Sequence, residues 1–483
     1  MKLKLWKPEW LVVVFTALIL AYLLMVKPLV GMANNGDFER IMNSAGLAYM
    51  PVEQADKYFS YFFSKYAFVD DALTAVGGYL SSQALLVKLT AWVQQWFQAD
   101  WYDIRVLSGL YSLILMAALY RIVKEHRAIS AWPRWVLAVL LVLVFADGAY
   151  AAYFNSLFGE PVSMLFLLLT FAFGAALTLR ERPSIGLLAG FYVSAVFAIS
   201  AKVQNAPIGI VLFLLSLRLW KWGEGRKWKY TAMVGSVLII LTSAIVFLSH
   251  GSSIKIINKY QTVFYGILKD SPNPHKDLEE LGLNPEWAVL AGTNYFIPDL
   301  PINIKSPEFE QELDEKIGHS KIALFYLKHP VRYWEKLKIT ATQAFAIKPS
   351  YLGNYELSEH KAPGALSHTY TLWSKFKEHL LPNQLWFLIA FYGAFILVWV
   401  KSYLETKRPA ARMYMELLMT IALIGVIQFI VPVIGDGEAD LAKHLFLFNV
   451  CFDMLFVSGV VWVVHFMVRR HRRLQQLLSP NVR

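Results

Sequence analysis

Only one cysteine, Cys451, occurs in the 483 residues. No intrachain disulfide can form, and a cysteine metal cluster is excluded. Charge is scarce as well: Asp, Glu, Lys and Arg make up 17% of the chain, against roughly 25% in soluble proteins. Several water-facing globules would need more polar surface than that, and a disordered chain more still. Nucleotide and hydrolase signatures are missing too. There is no Walker loop, no GxSxG, no HExxH and no dinucleotide fingerprint behind a strand. Their absence argues against an ATP-driven pump and against a cytoplasmic nucleotide-sugar enzyme. Neither an internal repeat nor a low-complexity tract is present.

What the chain has is apolar length. Hydrophobic residues reach 57% and mean hydropathy is +0.43, the range of a polytopic membrane protein that spends about 20 apolar residues per span. Apolar runs lie at Trp10–Val30, Leu107–Val123, Trp135–Tyr150, Val162–Leu179, Ile185–Ala201, Ile208–Trp220, Thr231–Leu248, Leu385–Val400, Met413–Ile434 and Leu445–Val468. They predict ten spanning helices in an all-α fold. The spans themselves are almost free of charge. The N-terminus has the basic start, apolar run and small-residue site of a signal peptide. Its run is long for one and is interrupted by Lys27-Pro28, so it reads as a retained first helix.

The 46 basic residues outnumber the 35 acidic ones by 11, and most of the excess lies in alternate short loops. Lys2, Lys4 and Lys7 start the series. Lys124, Arg127 and Arg134 follow, then Arg180 and Arg182, then Lys221, Arg226, Lys227 and Lys229. Lys401, Lys407, Arg408 and Arg412 come next, and Arg469 to Arg473 end it. Positive loops stay inside, so both termini are expected in the cytoplasm. The segment Tyr79–Phe97 is long enough to span, but Lys88 and its glutamines fit a helix lying at the interface. Three parts follow: a seven-helix module over 1–248 with a first outer loop at 31–105, a helical extracytoplasmic domain over 249–383, and a three-helix module over 384–483. In the large loop, Ser306-Pro307-Glu308 predicts a helix start. That helix should run to Lys328, where His329-Pro330 stops it.

Four polar clusters fall at the outer rim. The first is Asn34-Asn35-Gly36-Asp37-Phe38-Glu39-Arg40, a turn that presents carboxylates at the membrane surface. The second holds Asp147, Asn155 and Glu160, ionisable or polar groups at span ends, where function is the default reading. The third is Lys202-Val203-Gln204-Asn205, a cation against the positive-inside trend that suits a phosphate. The fourth runs from Gly435 to His444 and holds Asp436, Glu438, Asp440 and Lys443. If it opens a helix, Asp440 and His444 share a face and can pair. Each cluster also has a plain alternative as a helix cap, a solvated hairpin or a headgroup anchor. Aromatics near the outer face, such as Tyr58, Trp92 and Trp96, fit an interfacial belt.

Carboxylates mixed with Lys, Arg and His on one side suit a reaction that deprotonates a hydroxyl and expels an anion. The layout resembles the GT-C superfamily of integral-membrane glycosyltransferases, with an acidic residue just after the first helix and interfacial helices behind it. The strings NNGDFERIMNSAGL, YFNSLFGEP and GDGEADLAKHLFLFN are similar to bacterial hexose transferases of cell-surface and S-layer glycan biosynthesis. This chain has Asp37-Phe38-Glu39, a split acidic pair, so either carboxylate is open as the base. The resemblance implies a bacterial plasma-membrane protein with a polyprenyl-phosphate-linked sugar donor and a glycan or lipid-linked acceptor, with membrane lipid around them and no nucleic acid. It implies catalysis by Asp37, Glu39 and Glu160, and donor-phosphate contacts from Arg40, Lys202, Lys443 and His444. Substrate contacts would come from Asn35, Asp147, Asn155, Gln204, Asp436, Glu438 and Asp440. Asp37, Glu160 and Asp436 are the carboxylates a divalent cation would use. No metal or other cofactor is expected, since rim cations balance a lipid phosphate. Two other classes are weighed: an O-antigen-type polymerase or ligase using Arg332 with His319 or His329, and a lipid-linked glycan flippase with polar residues at mid-membrane.

Overall fold

The computed structural model describes residues 7–69, 80–97, 100–249 and 252–478. Lys2, Lys4 and Tyr79 lie outside the described residues. Helices occupy all ten apolar runs. Seven are long and apolar enough to cross a bilayer: Pro8–Met25, Arg105–Glu125, Glu160–Leu179, Arg226–Leu248, Leu385–Glu405, Pro409–Asp436 and Phe446–Arg472. Ala131–Phe145 is followed by Gly148–Phe154 after a bend of 51°, and Ile185–Ser200 and Ile208–Trp220 are shorter apolar helices. The bend has a local cause: Asp147 leaves the helix and its carboxylate accepts from the Ala149 N–H at 2.9 Å, capping the next turn.

The protein is a multi-pass membrane protein. Its apolar residues sort into a core and a lipid-suited exterior. Glu160–Leu179 is 83% buried over its apolar window and forms the centre, whereas Leu385–Glu405 is 11% buried and lies at the edge. The edge helix exposes Trp386, Ile389, Leu397 and Val400, a surface that water would penalise and lipid does not. A fully buried charged pair stands out against spans almost free of charge. Asp453, inside the last helix, meets Lys377 at 2.7 Å with both side chains fully buried.

Both long inter-helix segments gather at one end of the bundle. The segment after the first helix carries the helix Phe38–Ala45 and the helix Ser82–Gln95. The latter is too short to cross the bilayer and exposes Leu85, Leu89, Trp92 and Val93. The fold is not wholly helical. Leu47–Tyr49, Lys65–Phe68 and Tyr102–Asp103 form a small antiparallel sheet. Val30–Gly31 pairs antiparallel with Asn354–Tyr355, which ties the first long segment to the second. Strands of two to four residues leave almost no alternation to read.

The second segment has its own apolar core, built from Tyr260, Phe264, Leu290, Phe309, Leu313 and Phe325, and Val433 of Pro409–Asp436 joins it. Ser306 starts a helix as expected, accepting from the Phe309 N–H. That helix does not run to Lys328. It ends at Lys316, and a second begins at His319. Gly318 is fully extended between them (φ −147°, ψ 161°), and glycine costs about 1 kcal/mol relative to alanine in a helix interior.

Candidate functional site

Asn34 organises the first cluster. Its Oδ1 accepts from the Gly36 N–H at 2.8 Å and the Phe38 N–H at 3.1 Å. Asn34 therefore does the capping for Phe38–Ala45, and the Asp37 side chain makes no cap hydrogen bond. Gly36 takes φ +105°, which only glycine adopts cheaply. The helix docks by Phe38, Ile41, Met42 and Ala45, a one-faced apolar spacing. Asp37, about one third exposed, is left to face other charges.

Those charges are Arg40, which pairs with Asp37 one turn on, and Lys443, which reaches it from 406 positions away. Lys443 is 3% exposed and would be costly without partners. Besides Asp37 it donates to Asn35 Oδ1 at 3.3 Å and lies 4.1 Å from the centre of the Phe158 ring. Phe158 also packs edge-on against Phe38, so one ring seats both the helix and the lysine. Burial pushes the Asp37 carboxyl up. Lys443, Arg40 and Lys202 together outweigh it and hold the group well below the usual carboxylate range.

The turn that delivers Lys443 is shaped by backbone. Gly437 has φ +63° and ψ −127°, and Asp440 is left-handed at φ 44°, ψ 40°. That twist redirects Asp440. It does not pair with His444 but accepts from the Tyr351 hydroxyl at 2.7 Å and from Asn35 at 3.4 Å. His444 instead meets Asp436 at 2.9 Å and Gln204 Oε1 at 2.9 Å. Gln204 in turn donates to Gln428 Oε1 at 3.1 Å and to the His444 carbonyl at 2.7 Å. A Cβ on Gly437 would stand 2.6 Å from the Gln261 carbonyl oxygen and 2.9 Å from Gly266 Cα. Gly437→Ala is expected to cost about 1–3 kcal/mol and to displace Asp436 and Lys443. A lowered melting temperature together with reduced turnover is the readout, and unchanged values for both would contradict it.

Lys202 and Glu160 form the adjoining pair at 2.6 Å, with Glu160 1% exposed. They meet because Gly159 lies against the next turn: a Cβ there would stand 2.6 Å from the Ala201 carbonyl oxygen. Lys443 and Asp37 lie within electrostatic reach of Glu160, and Lys202 within reach of Asp37. Asn35, Asp37, Arg40, Glu160, Lys202, Gln204, Asp436, Asp440, Lys443 and His444 thus form one connected polar network.

Four expected residues stand apart from it. Glu39 turns away and accepts from Asn34 at 3.0 Å and Tyr58 at 2.7 Å. Asp147 also holds the Trp373 and Ser374 N–H groups at 3.0 and 3.2 Å. Asn155 is fully buried and donates to the Leu24 and Val30 carbonyls at 3.2 and 2.8 Å. Glu438 is clamped by Lys269 at 2.5 Å and Lys336 at 2.6 Å. The residues named for a polymerase are engaged in the loop: Arg332 with Asp277 at 2.8 Å, His329 with Glu280 at 2.8 Å, and His319 against Phe247. Sequence reading missed Tyr351, Phe158, Gln428 and the Lys377–Asp453 pair. Only Asp453 had a signal, an acid within an apolar run. Among the described residues no three His, Cys, Asp or Glu side chains converge as a metal-binding group.

A family model described as the YfdI N-terminal transmembrane domain matches residues 1–479. The Escherichia coli (strain K12) protein YfdI, described as uncharacterized, is 22% identical over 386 residues, covering 77% of this chain and 79% of its own length. A solved structure of the archaeal oligosaccharyltransferase AglB from Archaeoglobus fulgidus, in complex with an inhibitory peptide and a dolichol-phosphate, aligns at a TM-score of 0.39 and 12% identity. The alignment covers 98% of this chain, which spans about half (52%) of the archaeal one.

Proposed function

The chain belongs to the family of the YfdI N-terminal transmembrane domain, and from that premise we propose that it is a GT-C-type membrane glycosyltransferase. It moves a hexose from a polyprenyl-phosphate-linked donor to a cell-surface glycan or lipid-linked acceptor on the outer face of a bacterial plasma membrane. The module over 249–383 is extracytoplasmic in this reading. One observation carries the proposal: Asp37, spared from capping, faces Lys443 and Arg40. Asp37 is the base, Glu39 being committed to Asn34 and Tyr58.

In the resting arrangement Asp37 is a weak base, because its cations stabilise the ionised form. A donor phosphate competes for the same cations. As Lys443 and Arg40 turn to it, the carboxylate loses its stabilisation and becomes basic enough to take the acceptor hydroxyl proton. The hydroxyl oxygen then bonds the anomeric carbon, the bond from that carbon to the phosphate oxygen breaks, and polyprenyl phosphate leaves with the electron pair. Lys443, Arg40 and Lys202 stabilise that charge. His444, held by Asp436 and Gln204, lies beside them to contact donor or acceptor.

The test is purified protein with radiolabelled polyprenyl-phosphate hexose, read as release of polyprenyl phosphate. No release with any acceptor fraction would remove the proposal. The pH profile adds a second check. The acid limb of kcat/KM from Asp37 should fall below about pH 4, because the free enzyme keeps the group ionised. The limb of kcat should lie at higher pH, since the bound phosphate has drawn the cations away. Coincident limbs would remove the exchange of cations from the mechanism.

A further inference from the structure

A cleft of about 320 Å³ opens beside this network, lined by Lys269, Thr342, Gln343, Ser350, Tyr351 and Asp440 among others. It lies at the low end of small-molecule sites and equals the space of about ten waters, the scale of one hexose ring. Its inner wall is the Tyr351–Asp440 hydrogen bond. From that wall the contacts run on to Asn35, which donates to Asp440, and to Lys443, which donates to Asn35 and pairs with Asp37. A short chain of hydrogen bonds and an ion pair therefore links the cleft wall to Asp37.

The lining decides what the cleft can take. Lys269 is already neutralised by Glu438, and Lys348 donates to the Leu352 carbonyl. With Glu378 and Asp440, the lining sets the carboxylates of Glu378, Glu438 and Asp440 against the ammonium groups of Lys269 and Lys348, a balance that disfavours a phosphate. Hydroxyls and an amide come from Thr342, Ser350, Tyr351 and Gln343, and apolar walls from Ile339, Pro349 and Leu441. Polar groups of both hydrogen-bonding senses beside apolar faces match a neutral sugar. The cations Arg40, Lys202 and Lys443 are not part of that lining. We infer that the cleft is the acceptor subsite: it takes an uncharged sugar whose hydroxyl reaches Asp37 past the Tyr351–Asp440–Asn35 bridge. The inference rests on Asp37 being the base.

The experiment uses the full chain in detergent, with methyl glycosides of glucose, galactose and mannose as probes and saturation-transfer NMR as readout. Thr342→Trp and Ser350→Trp fill the cleft from exposed positions and should leave the melting temperature unchanged. At least one glycoside should bind saturably to the wild type, and its affinity should fall at least tenfold in both variants. Inorganic phosphate should not displace it. The inference is overturned by the absence of saturable binding in the wild type, by binding unchanged in both variants, or by displacement with phosphate. If one variant misfolds, the other reads the same wall. The two readings fail separately. Normal turnover in Asp37→Asn removes the base and leaves the glycoside result standing, whereas unaltered glycoside binding removes the cleft and leaves the base.

Discussion

Asp37→Asn is expected to lower hexose transfer by at least a factor of about 100 while the protein still inserts and folds. A positioned general base contributes roughly 10²–10⁴-fold, and asparagine keeps the shape but cannot take the proton. The fold should survive for a local reason. Asp37 makes no cap hydrogen bond, because Asn34 holds the helix start. The Asp37 side chain is about one third open to solvent while Lys443 is buried, so loss of the pairs should cost about 1–3 kcal/mol. Lys443 keeps Asn35 Oδ1, the Phe158 ring and the nearby Glu160 charge. The measurement is polyprenyl phosphate release at saturating donor, with a melting curve alongside. Near-normal turnover would sink the assignment of the base.

The second large effect is on stability. Lys377→Met is expected to cost about 3–5 kcal/mol, because it strands Asp453 in a dry core. Both side chains are fully buried. The pair is framed by Tyr150, which donates to Asp453 at 2.7 Å, by Trp373 Nε1 at 2.9 Å, and by Asn449, which accepts from Lys377 at 2.6 Å. The short helix Leu372–Leu380 is pinned into the bundle this way, beside Asp147 holding its first N–H groups. The double variant Lys377→Met with Asp453→Leu removes both charges and should recover most of the loss, since desolvation no longer has to be offset. Thermal melting of the two single variants and the double closes the cycle. Losses that simply add would show that the two residues act independently.

Most of the membrane architecture was legible because a bilayer imposes one simple rule. Each span needs a long apolar run, and all ten runs became helices. The same rule made the rim residues visible, since a polar group at the end of a span stands out against its neighbours. It could not expose the break at Ile317-Gly318, which depends on how two amphipathic halves pack in the loop core. Nor could it expose the strand pair Val30–Tyr355, where each partner is too short to show a period.

The residue types at the site, their confinement to a few short segments and the helices that carry them follow from the sequence alone. Burial of backbone polar groups in lipid leaves the chain little other choice. Which of those residues meet was decided by tertiary structure. Lys443 pairs with Asp37 because two backbone turns, Gly437 and Asp440, aim it there, and His444 pairs with Asp436 because Asp440 is twisted away. Tyr351 joins through a loop that no periodicity marks. Charge pairing between segments about 400 residues apart depends on distances of a few ångströms, and linear spacing holds no information about those.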